Sequence, residues 1–226
     1  MIGVVDLNAD VGEGVPEVDE SLLKLVTSAS VACGGHAGDS KTMRSTVRTA
    51  LTNQVRIGAH PSYPDREGFG RTSLSIPPDD LVRSLTGQIG DLIEAAALEG
   101  GNVEYIKPHG ALYHDASRSE ISAALVSVAG HFTLPLMVMA GSPLEVLVPC
   151  IREGFIDRSY DEDGGLLPRS EARAILSDPA VAARQALTLA PTVDSLCVHS
   201  DTPHAREFLE AARRALQSEG YQILAE

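Results

Sequence analysis

The sequence predicts an α/β protein built as a seven-stranded (β/α) barrel, irregular or incompletely closed. Three observations carry this. Short apolar runs alternate with helical segments along 226 residues. Several of these runs are continuous rather than alternating, as in strands buried on both faces of a parallel sheet. Nearly every run also ends on a polar residue capable of chemistry, and parallel strands place their C-terminal ends on one face. A doubly wound open sheet is the alternative architecture.

Strands are expected at 2–7, 30–33, 56–59, 103–106, 136–139, 154–156 and 195–198. Helices fall between them. One covers 20–28, and a second is capped by Asp39 or Ser40 and reaches about Asn53. A long helix starts at Asp79 or Asp80 and stops at Gly100-Gly101. Ser117 with Glu120 forms a capping box for the next, which runs to about Gly130. Ser142-Pro143 and Asp178-Pro179 open two more, and Thr202-Pro203 supplies a cap with proline at the first helical position. The chain reads as one barrel domain over 1–226, with no internal repeat and no interdomain linker. The Pro- and Gly-rich stretch 59–78 is a long βα loop of the kind that covers substrates.

Composition narrows the function. Lys and Arg number 18 against 31 Asp and Glu, a net charge of −13 that argues against nucleic acid or an anionic membrane as partner. No run approaches the ~18 apolar residues of a membrane helix. No signal peptide is visible at the N-terminus, and three widely spaced cysteines fit a reducing cytoplasm better than a disulfide framework.

The chemistry-bearing residues sit at the strand exits. Asp6, Asn8 and Asp10 alternate, so they project to one side of the first strand, into the barrel. An unpaired carboxylate there is costly, so each binds a metal, moves protons or pairs with a base; the alternative is an ordinary solvated strand exit. Glu13 follows on a Gly12-Glu13-Gly14 turn. His36 lies in the small-residue loop Cys33-Gly34-Gly35-His36-Ala37-Gly38-Asp39, as a ligand or general base. Cys33 is expected to be buried packing. His60 opens a rigid Pro-bounded loop that also carries Arg66 and Arg71, either suited to a carboxylate. Pro108 keeps Lys107 extended at the fourth strand's end, beside His109. Asp157, Arg158, His199 and Asp201 complete the ring. His114 reads as structural, His131 and His204 as surface residues, and Asp201 as a helix cap. The phosphate loop, dinucleotide fingerprint, nucleophile elbow, His-Glu-x-x-His and Cys-x-x-Cys pairs are all missing from the sequence. Scattered histidines and carboxylates without them point to acid–base or metal-assisted hydrolysis.

Together these blocks resemble a known family. Asp6-Leu7-Asn8-x-Asp10-x-Gly12-Glu13, Ala32-Cys33-Gly34-x-His36-Ala37-Gly38-Asp39 and Gly58-Ala59-His60-Pro61-Ser62-Tyr63-Pro64-Asp65 are similar to the family of 5-oxoprolinase A subunits, also called the LamB/YcsF or lactam-utilisation family. So are Gly68-Phe69-Gly70-Arg71, Lys107-Pro108-His109-Gly110-Ala111-Leu112-Tyr113, Asp157-Arg158-x-Tyr160 and Cys197-Val198-His199-x-Asp201-Thr202-Pro203. The resemblance implies a distorted seven-stranded barrel like those of glycoside hydrolases and sugar deacetylases. It implies ATP-dependent opening of the 5-oxoproline lactam to glutamate, with partner subunits B and C supplying the ATP step. Asp10, His36 and His60 would then activate water or bind a divalent metal, and Lys107 and His109 would stabilise the oxyanion or protonate the leaving nitrogen. Asp6, Asn8, Glu13, Arg71, Arg158 and His199 would surround the substrate, with Arg71 or Arg158 on its carboxylate. The alternatives are a metal-dependent carbohydrate or amide deacetylase working without ATP, and a non-catalytic protein that only binds ligand within the complex. Ala9, Ser30, Gly35 and Ser200 depart from the family pattern, and the loops after Gly14 and Leu189 are short. Gly35 and the short loops are expected to reshape the pocket.

Overall fold

Asp6, Asn8 and Asp10 turn into the barrel while Leu7, Ala9 and Val11 turn outward onto the helices, which sets the plan of the whole molecule. The computed structural model describes residues 3–225. Strands β1 (Gly3–Val11), β2 (Ser28–Ala32), β3 (Arg56–His60), β4 (Tyr105–Ile106), β5 (Leu136–Met139), β6 (Cys150–Phe155) and β7 (Ser195–His199) pair in sequence order, all parallel. β7 then pairs with β1 and closes the barrel, so the open-sheet alternative is excluded. An eighth strand, β8 (Tyr221–Ile223), extends the sheet beside Gly3, Val4 and Val5.

Helices α1 (Pro16–Leu23), α2 (Ser40–Thr52), α3 (Pro78–Leu98), α4 (Gly110–His114), α5 (Ser119–Phe132), α6 (Pro179–Leu189) and α7 (Ala205–Ser218) wrap the outside. The main apolar core lies between barrel and helices. Val31, Ile57, Ile106 and Val198 meet residues such as Leu85, Ile89, Leu125 and Phe208 there. Each large side chain buried in this layer contributes ~1.5–3 kcal/mol. The barrel interior is instead small and polar. Gly58 is required there, because the ring of Tyr105 occupies the space a Cβ would take, 2.2 Å away.

Several expected boundaries move, each for a physical reason. β1 runs four residues past its expected end because its polar residues face a satisfied interior; Ile2, expected to open it, lies outside the described residues. β6 spans Cys150–Phe155 rather than 154–156, its Arg152 held at the outside by Asp194 and its Glu153 held inside by Lys107. The helix expected over 20–28 is α1, and Ser28 already belongs to β2. Asp39 and Asp178 cap α2 and α6 as read, accepting from Thr42 N and Ala180 N. The Ser117–Glu120 capping box does not form: Ser117 ends a 3-10 turn and Glu120 pairs with Arg118. Ser142 opens only the 3-10 turn Pro143–Val146, so no full helix joins β5 to β6. α7 begins after His204, whose φ is 64°, and Thr202 is drawn to Asp157 instead of capping it. No helix among the described residues is long and apolar enough to cross a membrane.

Candidate active site

The inward residues of β1 fill the barrel in layers, and the layers decide which of them meet a ligand. Asp6 is at the bottom. It accepts hydrogen bonds from Thr27, Ser28 and Ser195 and lies 3.7 Å from Arg56. Burial raises its pKa above the usual carboxylate range against these bonds. Asn8 is next, donating to Glu153 Oε1 (2.9 Å) and Ser195 Oγ (2.8 Å) and accepting from Lys107 Nζ. Both are sealed inside and neither lines a cavity, which removes them from the expected substrate shell. They are the polar plug of the barrel.

Asp10 forms the top layer and lines a cavity of about 410 Å³ at the C-terminal strand ends. Lys107 Nζ, only 2% exposed, lies 2.7 Å from Asp10 Oδ1 and 2.8 Å from Glu153 Oε1, and donates to Cys197 Sγ at 3.2 Å. Burial disfavours both charges, but the pairing outweighs it. His60 and Lys107 hold Asp10 well below the usual carboxylate range, and Asp10 holds Lys107 well above the usual amine range. So the expected base at Asp10 is a weak one, and the expected oxyanion donor at Lys107 is already committed to structure. Glu153, which closes this network and accepts from Tyr113 Oη, carries no local motif that marks it in the sequence.

Beside Asp10 lies a histidine cluster. His60 ends β3, His109 follows β4, His36 follows β2, and Glu13 follows β1. His36 and His109 stack at 3.6 Å between ring centroids. Gly70, with φ 65°, packs against this pair, and a Cβ there would lie 3.0 Å from the His109 ring and 3.0 Å from the Cβ of His36. Glu13 Oε1 lies 2.9 Å from His36 Nε2, 3.4 Å from His109 Nδ1 and 3.8 Å from His60 Nε2. Burial lifts Glu13 to about 7 and depresses His36 and His109, whereas Asp10 overcomes burial to raise His60. Only His60 and His109 reach the cavity; Glu13 and His36 stand behind them. That corrects the expectation of His36 as a base and of Glu13 as a substrate contact.

The protons of this cluster follow from its partners. His60 Nδ1 faces Lys107 O at 2.8 Å and His109 Nε2 faces Phe69 O at 2.9 Å. A carbonyl only accepts, so both nitrogens carry hydrogen. His60 Nε2 and His109 Nδ1 then face each other at 3.0 Å, which is repulsive unless a proton or a metal ion lies between them. The sequence suggests Asp10, His36 and His60 as the metal set. The residues that converge are Glu13, His36, His60 and His109, and Asp10 touches them only through His60, at 3.4 Å.

Across the cavity stands a second centre. His199 ends β7, and its Nδ1 lies 3.0 Å from Asp157 Oδ2. Asp157 also accepts from His199 N (3.1 Å) and Thr202 Oγ1 (2.6 Å). Burial opposes its charge, but His199 and Thr202 hold Asp157 below the usual carboxylate range. The carboxylate fixes hydrogen on Nδ1 and leaves Nε2 bare. The ring stacks on Phe155 at 5.2 Å.

The remaining wall is basic. Arg158 is 2% exposed. It donates to Ala174 O and Leu167 O and makes no salt bridge among the described residues. Burial, then neighbouring Arg169, lowers its pKa. Arg71 and Arg169 share Asp201 at the rim, so Asp201 is a clamp rather than a helix cap. Arg169 and His114 line the cavity without having been singled out as site residues, because neither closes a strand: His114 ends α4 and Arg169 lies in the long loop after β6. Gly35 is not on this wall. A Cβ there would meet Ser62 and Gln88.

Known proteins are similar to this chain. The model of the LamB/YcsF family matches residues 5–225. The 5-oxoprolinase A subunit of Haemophilus influenzae (strain PittEE) is 40% identical over 243 residues, covering 98% of this chain and 99% of that protein. The crystal structure of a lactam utilization protein from Thermus thermophilus superposes with a TM-score of 0.90 at 34% identity, covering 99% of this chain and 100% of that one. A family 4 carbohydrate esterase from Streptomyces lividans, in complex with acetate, shares the fold alone, at TM-score 0.57 and 13% identity over 98% of this chain and 91% of that one. With a family match over almost its whole length, the chain belongs to the LamB/YcsF family.

Proposed function

We propose that this chain is the A subunit of an ATP-dependent 5-oxoprolinase and opens the 5-oxoproline lactam to glutamate. The observation that carries the reading is Arg158, a buried guanidinium on the wall of a small cavity that makes no salt bridge among the described residues, with Asp157 and Asp201 only offsetting its charge from further away. A buried unpaired charge is costly, and a ligand carboxylate that completes it is bound strongly. The cavity volume suits a small acid, and the basic wall exists within a chain of net charge −13.

The carboxylate of 5-oxoproline lies against Arg158, with Arg71 and Arg169 at the rim. Its lactam carbonyl turns toward the positive charge held between His60 and His109, which stabilises the developing oxyanion. The bare Nε2 of His199 takes a proton from water as the water oxygen bonds to the carbonyl carbon. As the C–N bond breaks, the same histidine returns the proton to the leaving nitrogen, giving the amine of glutamate. Asp157 keeps the ring in the tautomer that does this. Asp10, fixed by Lys107, holds the charge of His60.

An unstrained lactam favours the closed ring, so the reaction is coupled. The oxyanion formed as water adds takes the γ-phosphoryl group of ATP with release of ADP. C–N cleavage then gives the acyl phosphate of glutamate, and a second water hydrolyses that to glutamate and phosphate. The sequence carries no phosphate loop, in keeping with ATP use by subunits B and C. The Haemophilus relative bears the name of one subunit among several, which supports an assembly. The three free cysteines agree with work in the cytoplasm. The test is glutamate release from 5-oxoproline and ATP by the chain alone and with B and C. Release only with all three supports the reading. Equal release without ATP, or turnover of acetylated sugars by the chain alone, overturns it.

A further inference from the structure

We propose that Glu13, His36, His60 and His109 form a binding site for one zinc-class divalent cation in the wall of the cavity. The argument is independent of the reaction. Two imidazoles turn their inner nitrogens on each other at 3.0 Å because their outer nitrogens are committed to carbonyls. A carboxylate oxygen stands 2.9–3.8 Å from all three rings. His60 Nε2, His109 Nδ1 and Glu13 Oε1 present electron pairs, and His36 Nε2 does so in the tautomer that carries hydrogen on Nδ1. Protons satisfy these atoms pair by pair, whereas one metal ion satisfies all four. His60 and His109 are 1% and 6% exposed, so bulk water does not fill the need.

A metal matches the spacing. Zinc bonds nitrogen at ~2.0–2.1 Å, and a tetrahedron of such bonds has edges of ~3.3 Å. Four of the six separations are 2.9, 3.0, 3.4 and 3.8 Å, bracketing that edge, and all six lie within 4.8 Å. The outer contacts also match. A metal-binding histidine donates its other N–H to a carbonyl or carboxylate, as His60 does to Lys107 O and His109 to Phe69 O. His36 Nδ1 is buried without a partner, so no outer contact fixes the tautomer of that ring and its Nε2 is available as a ligand. Three imidazoles and one carboxylate select zinc, cobalt or nickel over magnesium or calcium, which prefer all-oxygen shells. Glu13 and His36 back the site, and its open side is the cavity side, toward Asp10.

The test reads metal rather than turnover, so its outcome is separate from that of the lactam reaction. Tag-free protein is stripped with chelator, titrated with zinc by calorimetry, and assayed for metal by mass spectrometry; cobalt(II) absorption reports the ligand geometry. One equivalent of zinc and a tetrahedral cobalt spectrum are expected. Glu13→Gln and His109→Ala should weaken binding by about 100-fold or more, and the exposed-residue control His204→Ala should leave it unchanged. Circular dichroism checks folding, and Glu13→Gln, nearly isosteric, stands in if His109→Ala unfolds. Failure of folded wild-type protein to take up zinc, or equal uptake by Glu13→Gln and wild type, overturns the proposal.

Discussion

At the scale of single residues, the cavity separates holding from reacting. Arg158 lines the cavity with two of its nitrogens already tied to Ala174 O and Leu167 O, so its orientation is fixed in the absence of any ligand. Arg158→Gln should raise KM for 5-oxoproline by about 10–100-fold with a smaller change in kcat, since the carboxylate is bound alike in ground and transition states. Steady-state kinetics of the assembled complex checks this. An equal fall in kcat would assign Arg158 to the chemistry instead. Which strand ends carry chemistry is legible in the sequence because each is a polar residue closing an apolar run. Their depth is not. Asp6, Asn8 and Asp10 have the same periodicity, yet only Asp10 reaches the cavity, because the barrel's layering depends on strands far away in the chain.

Among the elements, the turn between β1 and α1 has an unusual anchor. Asp19 on α1 accepts from Gly12 N at 2.8 Å and so positions the turn that bears Glu13. Its Oδ1 is buried without a partner, and burial raises its pKa from 3.8 to about 6. A folded pKa above the unfolded one means that the fold holds the protonated form more tightly. The favourable contribution is complete at low pH and is lost as pH rises through about 6. Asp19→Asn keeps the acceptor and removes the charge. It should stabilise the chain by ~1–3 kcal/mol near neutral pH and hardly at all near about pH 4, as measured by urea unfolding at both. A gain of the same size at both values would show that charge is not the cause. Caps are the least legible part of the elements. Asp39 and Asp178 act as read, but Thr202 serves Asp157, a partner 45 positions earlier in the chain.

For the molecule as a whole, one buried cation ties the barrel together. Lys107, just past β4, reaches Asp10 on β1, Glu153 on β6 and Cys197 on β7. Lys107→Met leaves Glu153 with only the neutral donors Asn8 and Tyr113 and Asp10 with only His60, and should cost ~3–5 kcal/mol in chemical denaturation. Adding Asp10→Asn and Glu153→Gln should restore much of it; no recovery would mean that packing, not charge, is at stake. Closure of seven strands in order is readable from the repeated βα rhythm. The eighth strand is not, because β8 has three residues and is defined only by its pairing with β1.

The most direct measurement is ATP-dependent glutamate release by the reconstituted complex carrying His199→Ala, with assembly verified by size-exclusion chromatography. Loss of a proton-transfer group costs ~10²–10⁴-fold in rate, so release should fall by at least about 100-fold while the subunits still associate. Release at the wild-type rate from an intact complex would contradict the assignment of the chemistry to this cavity.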